Sequence, residues 1–325
     1  MDGKEFIKSL PATAIKKREE LIFEAIRNKD NHPITWTSIK CCADNHLVEF
    51  FVMKDCLRIG HTNPVRVNVS AYTMTQIADY LGLHLQTTKI CDLVWMNSIV
   101  KISPTIFPPN NAMANTSVML DHSNKIDAKI GSGEGLIGNV GKHWVTTNKF
   151  SIKPDKAANY GWYDKSAPQQ CPVPGYNMWQ NLGTVHDVYH VDYSQVIRFV
   201  QSTVLVNGVE MDIEEIGNDK DLCTAISYEG TIKYWRPPSV PVYGKPDETK
   251  LVFNRTLKYG CRGDDVGEWQ QFLNDHVTAT KADGIFGIGT KTSTIDFQKK
   301  NNLVGDGMVG PNTLKKANEI LSQPS

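Results

Sequence analysis

The densest run of groups able to carry protons or hold a metal reads TVHDVYHVDYS, from Thr184 to Ser194. His186 and His190 are four residues apart, a spacing that puts them on one face of either a helix or a strand. Val185, Val188, Val191 and Val196 favour strand or loop for this stretch. Asp121-His122 precedes it, and Lys142-His143 lies in another apolar, strand-like segment. A predicted metal set of His122, His186 and His190, with Asp187 or Asp192, would leave zinc one open position for water. Zinc-bound water ionises near neutral pH and attacks an amide carbonyl. On this reading the cofactor is Zn2+. There is no HExxH motif, so the assignment rests on residue type and spacing. Two other chemistries have weaker sequence support. One pairs Cys171 with His186 as nucleophile and base, although Pro172 and Pro174 do not suit a nucleophile at a helix start. The other uses Glu134, within Gly131–Gly135, as a carboxylate for glycan cleavage.

These residues must be held by a mixed set of elements. A helix is predicted over 10–29, with Leu21, Ile22, Ala25 and Ile26 at helical spacing. Strand patterns follow at 34–41, 47–53, 56–59 and 65–69, and helices at 73–81 and 87–100. Residues 106–115 read as loop, 113–130 as helix, and 136–147 and 159–163 as strands. The stretch 164–183 holds Pro168, Pro172, Pro174 and Gly175 and reads as irregular. Residues 193–206 are apolar and β-rich, and Asn207-Gly208 marks a hairpin turn into 209–213. The order predicts an α+β domain with a mixed or antiparallel sheet over 1–235. The proline-rich run RPPSVPVYGKP predicts a semi-rigid linker over 236–250, and a small all-α domain over 251–325.

The composition narrows the partners. The 325 residues carry 35 basic and 35 acidic side chains, so nothing draws the chain to nucleic acid or anionic lipid. No apolar run approaches the length of a membrane span. Seven scattered cysteines form no disulfide framework or zinc knuckle and are expected as reduced, mostly buried thiols. The first 24 residues hold Lys4, Lys8, Lys16, Lys17, Arg18, Glu19 and Glu20, and no apolar signal core. Export would therefore need a leader outside this sequence or another route, such as release through a membrane hole.

From Leu257 the sequence reads LKYGCRGDDVGEWQQFLN, then DGIFGIGTKTSTIDFQKKNNLVGDGMVGPNTLKKA. Three short helices are predicted. Val266, Trp269, Phe272 and Leu273 form the apolar stripe of the first, with Asp265 as its expected cap. The turn DGxxG occurs twice, at Asp283–Gly287 and Asp306–Gly310, each followed three residues later by threonine. Thr290 and Thr313 are expected to open the next two helices. This pattern, from about Thr256 to Ala317, closely resembles the type 1 peptidoglycan-binding domain found at the ends of many cell-wall hydrolases. Leu314, where the family often has tryptophan, and Cys261 depart from it. The resemblance implies a non-catalytic module that binds peptidoglycan, with Asp283, Phe286, Gly287 and Thr290 as candidate contacts.

The larger part resembles a set of bacterial secreted proteins without an assigned activity. The similar segments are CLRIG from Cys56, ADYLGLHLQTTKICDLVW from Ala78, YGW from Tyr160, and TVH with DYSQVIR from Thr184. That resemblance implies a site drawn from His122, Lys142, Tyr160, His186, Asp192, Tyr193, Ser194 and Arg198. His190 is less regular in the set. The expected catalytic residues are therefore His186, Asp192, Lys142, Tyr160 and Arg198. The function expected from the whole is an extracellular or wall-bound peptidoglycan hydrolase, cleaving an amide bond as an amidase or peptidase. The alternative is a wall-binding protein without enzymatic activity.

Overall fold

The computed structural model describes residues 1–243, 251, 253, 255–277 and 281–321. The chain divides into two compact units, Met1–Tyr243 and Gly244–Ser325.

The first unit is mixed α and β, with two five-stranded sheets. In one, Trp36–Ala43 pairs with His46–Met53, which pairs with Val200–Val206; Val209–Asp212 and Leu83–His84 flank the last strand, all antiparallel. Alternation explains the core on this sheet. Val48, Phe50 and Val52 point inward and are fully buried, joined by Val200 and Val204. The Asn207-Gly208 hairpin forms as expected, with positive φ at both residues.

The second sheet carries the candidate site. Its order is Gln169–Gln170, Asn177–Gly183, Asn159–Asp164, Lys142–Trp144 and Gln195–Val196. Only the last pairing is parallel. Residues 164–183, expected to be irregular, contain two of these strands. The two asparagines and one glutamine of Asn177–Gly183 carry little hydrophobic alternation, and backbone pairing with Asn159–Asp164 forms the strand instead.

Helices Ile15–Arg27, Ala71–Leu81, Thr88–Asn97 and Thr116–Ile130 pack on this framework. Ser70 and Thr87 cap the second and third by accepting from the backbone N–H groups of Thr73 and Ile90. The predicted helix at 10–29 starts later, at Ile15. A separate helix, Gly3–Ser9, precedes it, capped by Asp2.

The predicted boundary at residue 235 moves. Residues 236–243 fold onto the first unit and are not part of a free linker. Arg236 Nη1 lies 2.7 Å from both carboxylate oxygens of Asp79, and its guanidinium also donates to the carbonyls of Val240 and Pro241. The Tyr243 amide donates to Asp79, and the Tyr243 ring packs 4.9 Å from Phe23. The rest of the predicted linker, 244–250, lies outside the described residues.

The second unit has the three expected helices, Asp264–His276, Ile288–Lys300 and Pro311–Leu321. Trp269, Phe272, Leu273, Phe286 and Phe297 fill its core. Trp269 Nε1 donates to Thr294 Oγ1 at 2.9 Å, which satisfies the indole while its ring stays apolar-packed. The predicted caps differ. Gly263 and Gly287 occupy the cap positions, Asp265 pairs with Arg255 at 2.7 Å, and Thr290 lies inside its helix. All seven cysteines are free thiols.

Candidate functional site

His186 and His190 lie in a loop rather than on a regular strand. Asp187 folds that loop: its Oδ1 accepts from the Tyr189 amide at 2.8 Å and its carbonyl from the His190 amide at 3.3 Å. The turn brings the two imidazoles face to face, with centroids 3.8 Å apart and planes 11° apart. Trp144 lies edge-on to both rings, at 6.4 Å from each. His190 Nε2 is 3.8 Å from Asp192 Oδ2, and Lys142 Nζ is 3.9 Å from the same oxygen.

Asp192 is built to remain anionic. Burial alone would raise its pKa, but the His190 ring, Lys142 and the Ser194 donors hold the carboxyl far below the usual range. Ser194 donates to Oδ1 through both its amide and its hydroxyl. Gln195 Oε1 accepts from the Asp192 amide at 2.5 Å, and Asn68 donates to the Asp192 carbonyl at 3.0 Å. Burial pulls the Lys142 ammonium down, opposed by Asp192. Lys142 also lies 5.2 Å over the Trp162 ring. Burial lowers the His186 pKa too, helped by His190 and Lys142.

Strand register decides which expected residues join. Lys142 and Trp144 share one face of their strand, and the Gln195 that braces Asp192 is the register partner of Lys142. His143 pairs with Tyr160, so both face the other side. There the hydroxyls of Tyr160 and Tyr163 donate to Asp92 Oδ1 at 3.0 and 2.6 Å, in a buried cluster. Tyr160 is therefore not brought to the His186 site. Arg198 is not brought there either. It is fully buried and donates to the carbonyls of Ile137 and Lys54. Trp162 does join, because a positive φ of 66° at this bulky residue, after Gly161, breaks the alternation. Trp144, Trp162 and Gln195 were absent from the expected set; the YGW segment was the one sequence signal for Trp162.

His122 approaches the cluster through Tyr193, whose ring centroid is 5.0 Å away, and packs 5.9 Å from Phe107. It is almost fully buried, and burial beside Arg66 lowers its pKa to about 3, so it is neutral. The expected zinc set does not fit this arrangement. Among the described residues no group of three or more His, Cys, Asp or Glu is placed to hold a metal. Imidazole lone pairs lie in the ring planes, so those of stacked, near-parallel His186 and His190 do not converge on one ion. His122 is walled off by aromatic rings. The weaker candidates lie elsewhere. Cys171 Sγ is tied to the Tyr176 carbonyl at 3.3 Å, and Glu134 borders a cavity of about 220 Å³ with His32, Asp55 and Cys56.

In the second unit one glutamine organises each glycine turn. Gln270 Oε1 accepts from the Gly284 amide at 2.9 Å. Its Nε2 reaches the Ile285 carbonyl and Thr290 Oγ1, both at 2.9 Å, and Asp283 Oδ1 at 3.3 Å. Gln298 repeats the clasp on Gly307, Met308, Thr313 and Asp306. Gly284 and Gly307 have φ of 69° and 71°, which glycine adopts without strain. A cleft of about 320 Å³ opens beside the first clasp, lined by Gln270, Asp283, Ile285, Gly287, Thr290 and Ser293. Three of the four candidate contacts, Asp283, Gly287 and Thr290, border it. Phe286 does not: it is fully buried in the helical core.

Residues 262–316 match the family described as "Putative peptidoglycan binding domain". The second unit is therefore similar to a peptidoglycan-binding domain over that stretch, a likeness that supports peptidoglycan as partner and a wall-associated role. Two crystal structures are among those similar to part of the chain. One is the SleB N-terminal domain, 32% identical, covering 22% of this chain and 97% of that one, with a TM-score of 0.21. The other is a Burkholderia AP3 phage endolysin, 33% identical, with a TM-score of 0.20; the match covers 22% of this chain and 27% of the endolysin. Among the described residues no helix is long and apolar enough to cross a membrane.

Proposed function

We propose that this protein is a peptidoglycan hydrolase that cleaves an amide bond of the stem peptides, with the His186–His190–Asp192–Lys142 cluster as its acid–base centre. The observation that carries the reading is the joining of two features in one chain. One is a domain matching a peptidoglycan-binding family. The other is a half-exposed histidine pair backed by a largely buried, anionic aspartate.

The chemistry follows from the geometry. Asp192 faces His190 Nε2, so exchange with substrate falls to Nδ1. His190 takes a proton from water as the water oxygen bonds to the carbonyl carbon. Charge then develops on the carbonyl oxygen, and the Lys142 ammonium stabilises it. Collapse breaks the C–N bond, and the proton held by His190 passes to the leaving amine. His186, stacked on His190, keeps the ring in place and disfavours a second positive charge beside it. No step is assigned to zinc, because the donor set does not fit that ion. A wall-binding role without catalysis is the second reading. The packing of His122 against Phe107 and Tyr193, and of Lys142 over Trp162, favours it, since such packing also serves stability alone.

The test is loss of turbidity of purified sacculi with wild-type protein, Asp192→Asn and His190→Gln. Clearing by wild type, reduced about a hundredfold or more in both variants, is expected from loss of a positioned base. Both variants should still sediment with the sacculi. Equal clearing by all three would remove the cluster from the chemistry.

A further inference from the structure

Beside the histidine loop lies a cavity of about 730 Å³ that the acid–base chemistry does not use. Its walls come from the helices Ile15–Arg27 and Ala71–Leu81, from Tyr189 of the histidine loop, and from Tyr243. Tyr72 and Tyr189 stack at 5.1 Å with a 29° tilt, and Tyr189 is 64% exposed. Phe23 packs against Tyr243 at another part of the lining. The backbone ties this wall to the site, because the Tyr72 amide donates to the Val188 carbonyl at 2.8 Å. Tyr189 is the residue immediately before His190.

The polar groups of the lining point to one ligand class. Glu19 is buried, but its carboxylate is already used. It accepts from the Ser70 amide and hydroxyl at 2.6 and 2.7 Å, and from the Thr73 hydroxyl at 2.6 Å. Lys16 and Glu20 are exposed at the edge. A charged ligand end, such as a peptide amine or carboxylate, would require an uncommitted opposite charge inside the cavity. The lining offers aromatic faces and tyrosine hydroxyls instead. That combination suits a neutral ring with one apolar face and a hydroxylated rim, and the volume is in the range of ligand pockets.

We propose that this cavity is a saccharide subsite that holds the glycan strand of peptidoglycan, with pyranose rings laid on Tyr189 and Tyr72. A strand held there would present its attached peptide to the adjacent histidine loop. The proposal rests on the wall-directed reading above and names the part of the polymer that the first unit grips.

The test uses the full chain and a defined probe, the tetramer of β-1,4-linked N-acetylglucosamine, in calorimetric titrations of wild type, Tyr189→Ala and Tyr189→Trp. The proposal expects binding by wild type. It expects a loss of about tenfold in Tyr189→Ala, equivalent to about 1.4 kcal/mol, and recovery in Tyr189→Trp, which restores a flat aromatic face. Equal affinity in wild type and Tyr189→Ala would overturn the proposal. So would binding of a free stem peptide, and not of the tetramer, that is lost in Tyr189→Ala. Either result leaves the hydrolase reading intact if sacculi are still cleared. Failure of the chain to sediment with sacculi would instead overturn the wall-directed reading and this subsite with it.

Discussion

Replacing Gln270 by leucine should destabilise the second unit selectively. The side chain is 1% exposed, and leucine approximates its volume without its amide. The substitution strands the Gly284 N–H and the Ile285 carbonyl, each 2.9 Å from the glutamine, and removes donors to Thr290 and Asp283. A stranded buried polar group costs about 1–3 kcal/mol, and the half-exposed turn admits some water. A loss of about 2–4 kcal/mol is therefore expected. A domain of this size holds only about 4–12 kcal/mol in total. Each kcal/mol moves the midpoint of a small domain by about 4–8 °C, so the second unit should melt some 10–25 °C lower. Scanning calorimetry of the full chain would show the lower transition move while that of Met1–Tyr243 stays in place. Gln298→Leu should match it, because Gln298 makes the same set of bonds to the second turn. A shift below about 2 °C in either variant would refute the view that these amides hold the turns.

Burial lowers the pKa of His122, and of His143 behind the sheet, to about 3. Both values lie below the ordinary unfolded value of about 6.5, so below that pH the unfolded chain takes up protons that the folded chain refuses. This contribution to stability is complete above about pH 6.5 and is lost as pH falls toward 3. Each histidine adds about 1.4 kcal/mol per pH unit at most. Denaturant midpoints between pH 7 and 4 should fall less steeply in His122→Phe, whose ring can occupy the gap between Phe107 and Tyr193; an unchanged slope would refute the assignment. Tyr160→Phe removes one hydroxyl from Asp92 on the far side of the sheet. It should cost about 1–2 kcal/mol of stability while clearing of sacculi stays at the wild-type rate; a selective loss of clearing would place Tyr160 back in the chemistry.

The three-helix unit could be read because its signal is local. Two glycine turns with fixed threonine spacing repeat, and the helical stripe around Trp269 ends at the first turn. The glutamine clasp is hard to read because a buried Gln270 looks the same in sequence as the exposed Gln271 beside it. Its trace was the aromatic-Gln pair preceding each turn, Trp269-Gln270 and Phe297-Gln298. In the first unit residue type located the histidine cluster, and His186, His190, Asp192 and Lys142 do come together. Register separated the rest. One position along the strand sends His143 to the opposite face from Lys142, and Tyr160 pairs with His143. The positive φ of Trp162 and the loop that stacks His186 on His190 depend on tertiary contacts with no local pattern. Arg198 carries a charge that suggested a site, yet backbone carbonyls hold it in the core.

The most direct test of the account is the chemical end created when the full chain acts on purified sacculi. Amide hydrolysis at the histidine cluster predicts new free amino groups that accumulate with time, without new reducing sugars, and that fail to appear with Asp192→Asn. Sacculi that retain the protein but release neither amines nor soluble fragments, or that release reducing ends alone, would contradict it.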